Sequence, residues 1–400
     1  MQRKLDLRTG RTVWSAYRAP AVPQEALARD LSADVVVVGM GIGGALAADA
    51  LSLAGLSVVA IDRRGAVKGS TAATTALVQY EIDQPLCLLS RRIGKERAMR
   101  AWRRSRLAVG NLKARILERQ IACDLAERPS LYLAGDVLGA EALEEEAELR
   151  GAAGLAASFL PRAAVRETYG MDRAALRSQG NLALDPRKLT AGLLLRARER
   201  GARFFSPVEA VRFASHADGV AVETKAGPVL SARYVLLATG YELMDFVPAK
   251  NHRIISTWAF ATARQPAALW KDRALVWEAS DPYLYFRATH DGRVICGGED
   301  EDFSDEAQRD ALIAEKTERI AGKLKALLPA VDTRPTFAWS GSFGTTTTGL
   351  PYVGAVPRRP RIFAVMGYGG NGITYAEIAA ELVTAAILGH ADPDADLFAF

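Results

Sequence analysis

The chain has 400 residues, 49% of them hydrophobic and 24% charged, which is enough apolar material for a large core and a length suited to about two to three domains. A net charge of +5 over that length excludes a disordered chain and gives no sign of a dedicated nucleic-acid binder. Cys87, Cys123 and Cys296 lie far apart without CxxC or Cys/His ligand spacing, so neither a disulfide framework nor a zinc site is expected. The N-terminus lacks an apolar leader and no stretch has the length of a membrane span, so the expectation is a soluble cytoplasmic protein.

Residues 1–33 carry Pro20 and Pro23 and no sustained period, and read as an extended arm. Val35 to Val38 form a short β-branched run suited to a strand buried on both faces of a parallel sheet. Glycines follow at once. Ile42 to Leu53 has helical spacing, and Leu56 to Ile61 is a second apolar strand ending at Asp62. From Leu86 to about Gly180 the pattern predicts long amphipathic helices, with Leu131–Leu133 as a short strand between them. Arg91, Arg92, Lys95, Arg97, Arg100, Arg103, Arg104 and Arg106 make this region strongly basic; a solvated face is the expected role, with binding to a membrane surface or an acidic partner as the alternative. A helix over Leu189 to Arg200 leads into strands around Phe204, Val208–Phe213, Val220–Thr224 and Tyr234–Ala238. Ile254 to Gly297 is β-rich, Asp305 to Leu328 is helical, and a glycine cluster opens a final helix from Ile373 to Leu388.

Gly39-x-Gly41-x-x-Gly44 stands between a strand and a helix. Gly39 permits the turn, Gly41 admits a pyrophosphate close to the backbone, and Gly44 lets helix pack on strand. The helix start offers N–H groups and a positive dipole end to phosphates. Asp62, at the end of the second strand, is placed to accept hydrogen bonds from ribose hydroxyls. Ile42, Gly43, Arg63 and Arg64 complete this candidate dinucleotide site.

The remaining motifs resemble the DAO-type FAD oxidoreductases, the superfamily of D-amino-acid, glycine and sarcosine oxidases. Gly69-Ser70-Thr71-Ala72-Ala73-Thr74-Thr75-Ala76 is similar to its second signature, which implies contacts to the pyrophosphate and the isoalloxazine edge. Ala238-Thr239-Gly240 is similar to its ATG turn, and Val208 lies where family backbone groups hold adenine. Gly349-Leu-Pro351-Tyr-Val-Gly354 and Tyr368-Gly369-Gly370-Asn371-Gly372-Ile373-Thr374 resemble its last signature, whose helix aims its dipole at the flavin pyrimidine. The resemblance implies an α/β fold: a Rossmann-type FAD-binding domain, doubly wound and assembled from residues 1–85, 181–245 and 335–400. An α+β substrate domain on a mainly antiparallel sheet, residues 86–180 and 246–334, completes it.

The sequence also departs from the family. Ala72 stands near the position of a flavin-anchoring His, and residues 331–354 hold no Cys, so FAD is expected to bind non-covalently. Gly341-Ser342-Phe343-Gly344 lacks the arginine that amino-acid oxidases use for the substrate carboxylate. Alternation places Tyr283, Tyr285 and Arg287 on one strand face, and these, with Tyr368, are the candidate substrate residues. Val294-Ile295-Cys296 lacks an oxygen-activating lysine, which leaves oxygen, a quinone or a protein as electron acceptor. His216, His252, His290 and His390 are scattered and receive no role, and no catalytic base is assigned. The expected activity is oxidation of a C–N bond of an amine or amino-acid derivative by hydride transfer to flavin N5. A dehydrogenase of a hydroxy compound, of glycerol 3-phosphate or 2-hydroxy acid type, and a flavin-holding electron-transfer subunit are the alternatives.

Overall fold

The computed structural model describes residues 5–400, and its strands form two sheets. In the first, five strands run parallel in the order Ile362–Met366, Val229–Leu237, Leu31–Val38, Val58–Ile61 and Arg203–Phe205, with Tyr352–Ala355 as an antiparallel edge. Alternation along the valine run divides it between two cores. Val35 and Val37 pack with the helices Ile42–Leu53, Pro186–Glu199 and Gly372–Ile387, whereas Val36 and Val38 pack with the strands Ala210–Ser215 and Val220–Thr224 and with Met244 and Val247. Helices thus cover one face only, and the doubly wound arrangement expected from the sequence is replaced by a helix–sheet–hairpin sandwich.

The second sheet runs Arg8–Gly10, Pro335–Thr346, His252–Thr262, Val294–Glu301, Leu284–Ala288, Leu275–Glu278, Ala126–Leu133, Ala175–Ala183, Leu77–Val78. It is antiparallel except between Leu275–Glu278 and Ala126–Leu133. Its outer face is covered by the helix Ile313–Leu327. The expected domain limits shift accordingly: Pro335–Thr346 and the start of the arm belong to this sheet because their backbones pair with His252–Thr262 and with each other. The arm is part of the core, with Val13 and Trp14 buried. Residues 175–180, within the region expected to be helical, belong to the strand Ala175–Ala183.

Arg91 and Arg92 end the helix Leu86–Ile93, the rest of the basic stretch lies in the first half of the helix Lys95–Glu118, and this second helix packs on Gly372–Ile387. Spacings of three and four residues put Arg97, Arg100 and Arg104 on one side. Arg97 and Arg100 bind Asp396, Arg100 also binds Asp394, and Arg104 binds Glu381 and Asp392. Much of the charge offered as a membrane contact is therefore matched by acidic groups of the same chain. Among the described residues, no helix is long and apolar enough to cross a membrane.

Candidate functional site

One cavity of about 1820 Å³, open solvent at its mouth included, lies between the two sheets. At one end Gly39, Gly41, Ile42 and Gly43 line it. Gly39 has φ +113° and a Cβ there would sit 2.3 Å from the Ala238 carbonyl oxygen, so only glycine allows the strand end to meet the Ala238–Gly240 turn. Gly44 does not reach the cavity; its Cβ would lie 1.8 Å from the Gly39 oxygen, and its role is to let helix close on turn. Gly41 caps the helix without a side-chain acceptor, while the Ile42 N–H donates to Thr71 Oγ1 at 3.0 Å. The Asp62 carboxylate accepts from the N–H groups of Met40, Arg64 and Gly65 at 2.8, 2.7 and 2.9 Å, which fixes it beside the turn. Arg63 and Arg64 both bind Glu242, another wall residue. Val208 lines the same end, but its N–H already donates to the Asp62 carbonyl at 2.9 Å.

Gly69, Ser70, Thr71, Thr74 and Thr75 form the next strip of wall. Three donors from distant parts of the chain hold its successive carbonyls. Trp339 Nε1 donates to Ala73 at 2.8 Å, Trp14 Nε1 to Thr74 at 2.7 Å and Arg287 Nε to Thr75 at 2.7 Å. Ala76 follows with φ +56° and is buried outside the cavity lining. The expectation that Arg287 faces substrate is thereby corrected. Its guanidinium also donates to the Leu184 carbonyl at 2.8 Å, stacks on Trp14 and is absent from the cavity wall. Burial pushes its pKa down to about 10, still cationic at neutral pH, and the buried carbonyls take the donors that a ligand would have used.

Ala238, Thr239 and Gly240 with Tyr241, and the loop of Tyr368, Gly369, Gly370, Asn371, Gly372 and Ile373, also line the cavity; the Ala238 carbonyl meets Gly39, and a Cβ on Gly43 would lie 3.1 Å from Tyr368 Oη. The side chains of Asn371 and Thr374 do not reach toward a ligand. Asn371 Nδ2 donates to the Glu81 carbonyl at 2.8 Å and Thr374 Oγ1 to the Gln79 carbonyl at 2.7 Å, tying residues 79–83 to the last helix. Asp83 is pressed against the glycines, accepting from the Gly370 N–H at 2.7 Å; a Cβ on Gly370 would lie 2.8 Å from Asp83 Oδ1. Thr257, Trp277, Tyr283, Tyr285, Trp339 and Phe343 of the antiparallel sheet form the facing wall. Tyr283 and Tyr285 are tilted rings 5.4 Å apart, and Tyr241 meets Tyr368 edge-on at 6.2 Å. Sequence reasoning missed Gln79, Asp83, Tyr241, Glu242 and Thr257. A signal existed for two of them: Gln79, Glu81 and Asp83 place polar residues at every second position of an otherwise apolar stretch.

Residues 34–386 match the DAO family, described as FAD dependent oxidoreductase. The chain belongs to this family, and FAD is its cofactor. It is 26% identical to the gamma-glutamylputrescine oxidoreductase of Escherichia coli (strain K12), over 94% of this chain and 89% of that one. Among solved structures it is similar in fold to glycine oxidase from Geobacillus kaustophilus, with TM-score 0.76, 20% identity and coverage of 91% and 96% of the two chains. It is likewise similar to L-proline dehydrogenase from P. horikoshii, with TM-score 0.78, 18% identity and coverage of 93% and 97%.

The wall suits that cofactor. The glycine cradle at a helix start is open to phosphates, and Arg63 Nη1 and Gln79 Nε2 are buried in the wall without a partner among the described residues.

Proposed function

We propose that this enzyme oxidises a C–N bond of an amine or amino-acid derivative, with FAD held non-covalently. The observation that carries the reading is a single cavity that joins the glycine cradle to a wall of tyrosines on the antiparallel sheet. In this reading Gly39, Gly41, Ile42 and Gly43 receive the pyrophosphate, Asp62 the ribose hydroxyls, and the Val208 carbonyl the adenine. The strip Gly69–Thr75, the Ala238–Gly240 turn and the loop Gly369–Ile373 border the isoalloxazine. The flavin supplies the hydride acceptor for a C–H next to nitrogen. The chain's own part is to orient that C–H, exclude water and present the dipole of Gly372–Ile387 to charge on the ring. Among the described residues no Cys, His or Lys lines the cavity, which supports a non-covalent flavin; oxygen, a quinone or a protein partner is the proposed acceptor. The similarity to the gamma-glutamylputrescine oxidoreductase favours an amine over a hydroxy acid.

The test is anaerobic mixing of the yellow holoprotein with amines, amino acids and hydroxy acids. Bleaching of the flavin by amines or amino acids is the expected result, and bleaching by hydroxy acids alone would overturn the reading.

A further inference from the structure

The cavity wall contains the acidic residues Asp62, Asp83, Glu209 and Glu242 against the basic residues Arg63 and Arg64. Both arginines are bound to Glu242, on the nucleotide side. Among the described residues, a substrate carboxylate would therefore meet no cation beside Phe343, and Arg287 is turned into the core. That part of the wall is instead aromatic and acidic. The Asp83 carboxyl lies on the wall with Tyr241 and Tyr283; burial raises its pKa, and the hydrogen bond from the Gly370 N–H opposes that shift. Burial first, then the charges of Asp300 and Asp83, push the Tyr283 hydroxyl well above its ordinary value; burial and then Asp83 do the same for Tyr241. Behind the rings, both carboxyl oxygens of Asp300 are shielded from water. Gln79, 8% exposed, lines the same cavity with its Nε2 lacking any partner among the described residues, so the wall is incomplete without a bound polar molecule.

We propose that the substrate end of this cavity selects a cationic amine without a carboxylate, with Asp83 facing the positive charge and the pairs Tyr241–Tyr368 and Tyr283–Tyr285 enclosing its alkyl groups. This inference rests on the amine-oxidising reading above. The aromatic faces add attraction for a cation that a carboxylate cannot use, and an anion would be repelled by Asp83. The ammonium is selected by charge first; its proton would pass to solvent before the adjacent carbon gives up hydride.

Three probes of one shape and different charge test this on the FAD-loaded protein: tetramethylammonium, tert-butanol and trimethylacetate. Tetramethylammonium has no lone pair to assist hydride loss, so binding is read without turnover, from the perturbation of flavin absorbance. The expected order is cation tighter than alcohol by tenfold or more, with trimethylacetate weakest. In Asp83→Asn the preference for the cation over the alcohol should disappear while FAD content stays at wild-type level. Tighter binding of trimethylacetate, no perturbation by the cation at its solubility limit, or a full cation preference in Asp83→Asn would each overturn the proposal. If Asp83→Asn loses FAD, the ranking of the three probes on the unmutated protein decides alone. Failure here is distinct from failure of the amine reading: bleaching by amino acids with an anion-preferring cavity refutes only the cation proposal, whereas bleaching by hydroxy acids alone refutes both.

Discussion

Single residues in this site separate into those that touch a ligand and those that shape what does. Gly41 and Gly44 belong to one motif, yet a Cβ on Gly41 would meet Thr71 Oγ1 at 3.1 Å in the cavity wall, whereas one on Gly44 would penetrate the Gly39 carbonyl. Gly41→Ala should leave a folded protein with weakened FAD retention, measured by flavin content after gel filtration; Gly44→Ala should fail to give a stable fold. Equal flavin loss with equal stability in both would contradict this division. Arg287→Ala removes donors from two buried carbonyls, each costing about 1–3 kcal/mol when left unpaired. It should lower both the unfolding midpoint and FAD affinity, with Arg287→Lys recovering part of the loss. A rise in the Michaelis constant alone would return Arg287 to the substrate. Sequence alternation placed Arg287 on the face of Tyr285, and that much was legible; which of the two reached the cavity depended on carbonyls of residues 75 and 184, beyond the scope of a strand pattern.

At the scale of elements, the arm is secured by polar contacts as well as by its apolar side chains. Tyr17 Oη, Thr289 Oγ1 and Arg264 Nε all donate to Asp291, at 2.7, 2.6 and 2.6 Å. Burial pushes the Asp291 carboxyl up, but these hydrogen bonds outweigh it and hold the pKa at about 2. The folded value lies below the unfolded value of about 3.9, so the stabilisation is present above that pH and is lost as pH falls through about 2. Asp291→Asn should therefore be less stable than the parent at pH 7, by about 1–3 kcal/mol, and the gap should narrow as the pH is lowered from about 4 toward 2 in denaturant titrations. A gap independent of pH would exclude the ionised carboxylate as its cause. The helix Lys95–Glu118 makes a second case. Arg104 is buried against Glu381 and Asp392, whereas Arg97 is half exposed at its pair with Asp396. Unfolding measurements should show a larger loss for Arg104→Ala than for Arg97→Ala, since exposed pairs contribute about 0–1 kcal/mol. The helix itself was legible from its period. Its partners were not, because the acids that neutralise it lie in residues 381–396, which no local pattern connects to it.

For the molecule as a whole, the cofactor is expected to be part of the stability. Acid or heat denaturation should release intact FAD into the supernatant, and colour retained by the precipitated chain would refute non-covalent binding. Added FAD should raise the unfolding temperature of flavin-depleted protein in a concentration-dependent way, as ligand binding to the folded state alone requires. The nucleotide half of the site was legible because a strand, three glycines and an acid fall within one βαβ unit, where spacing in sequence equals spacing in space. Of the substrate half, Tyr283, Tyr285 and Tyr368 were legible, whereas Gln79, Asp83 and Tyr241 were not, since the wall draws on residues from 79 to 368 and its charge balance emerges only when they meet. The three donors on the carbonyls of residues 73–75 carry this separation into time. Trp14 leaves the ribosome before the strip it holds, Arg287 some two hundred residues after it, and Trp339 later still. A nascent chain stopped short of Trp339 has at most two of the three anchors and lacks the loop at 369–373, so it presents a nucleotide cradle without a flavin edge. Complete anchoring of the strip, and with it the full flavin edge, thus belongs to the finished polypeptide.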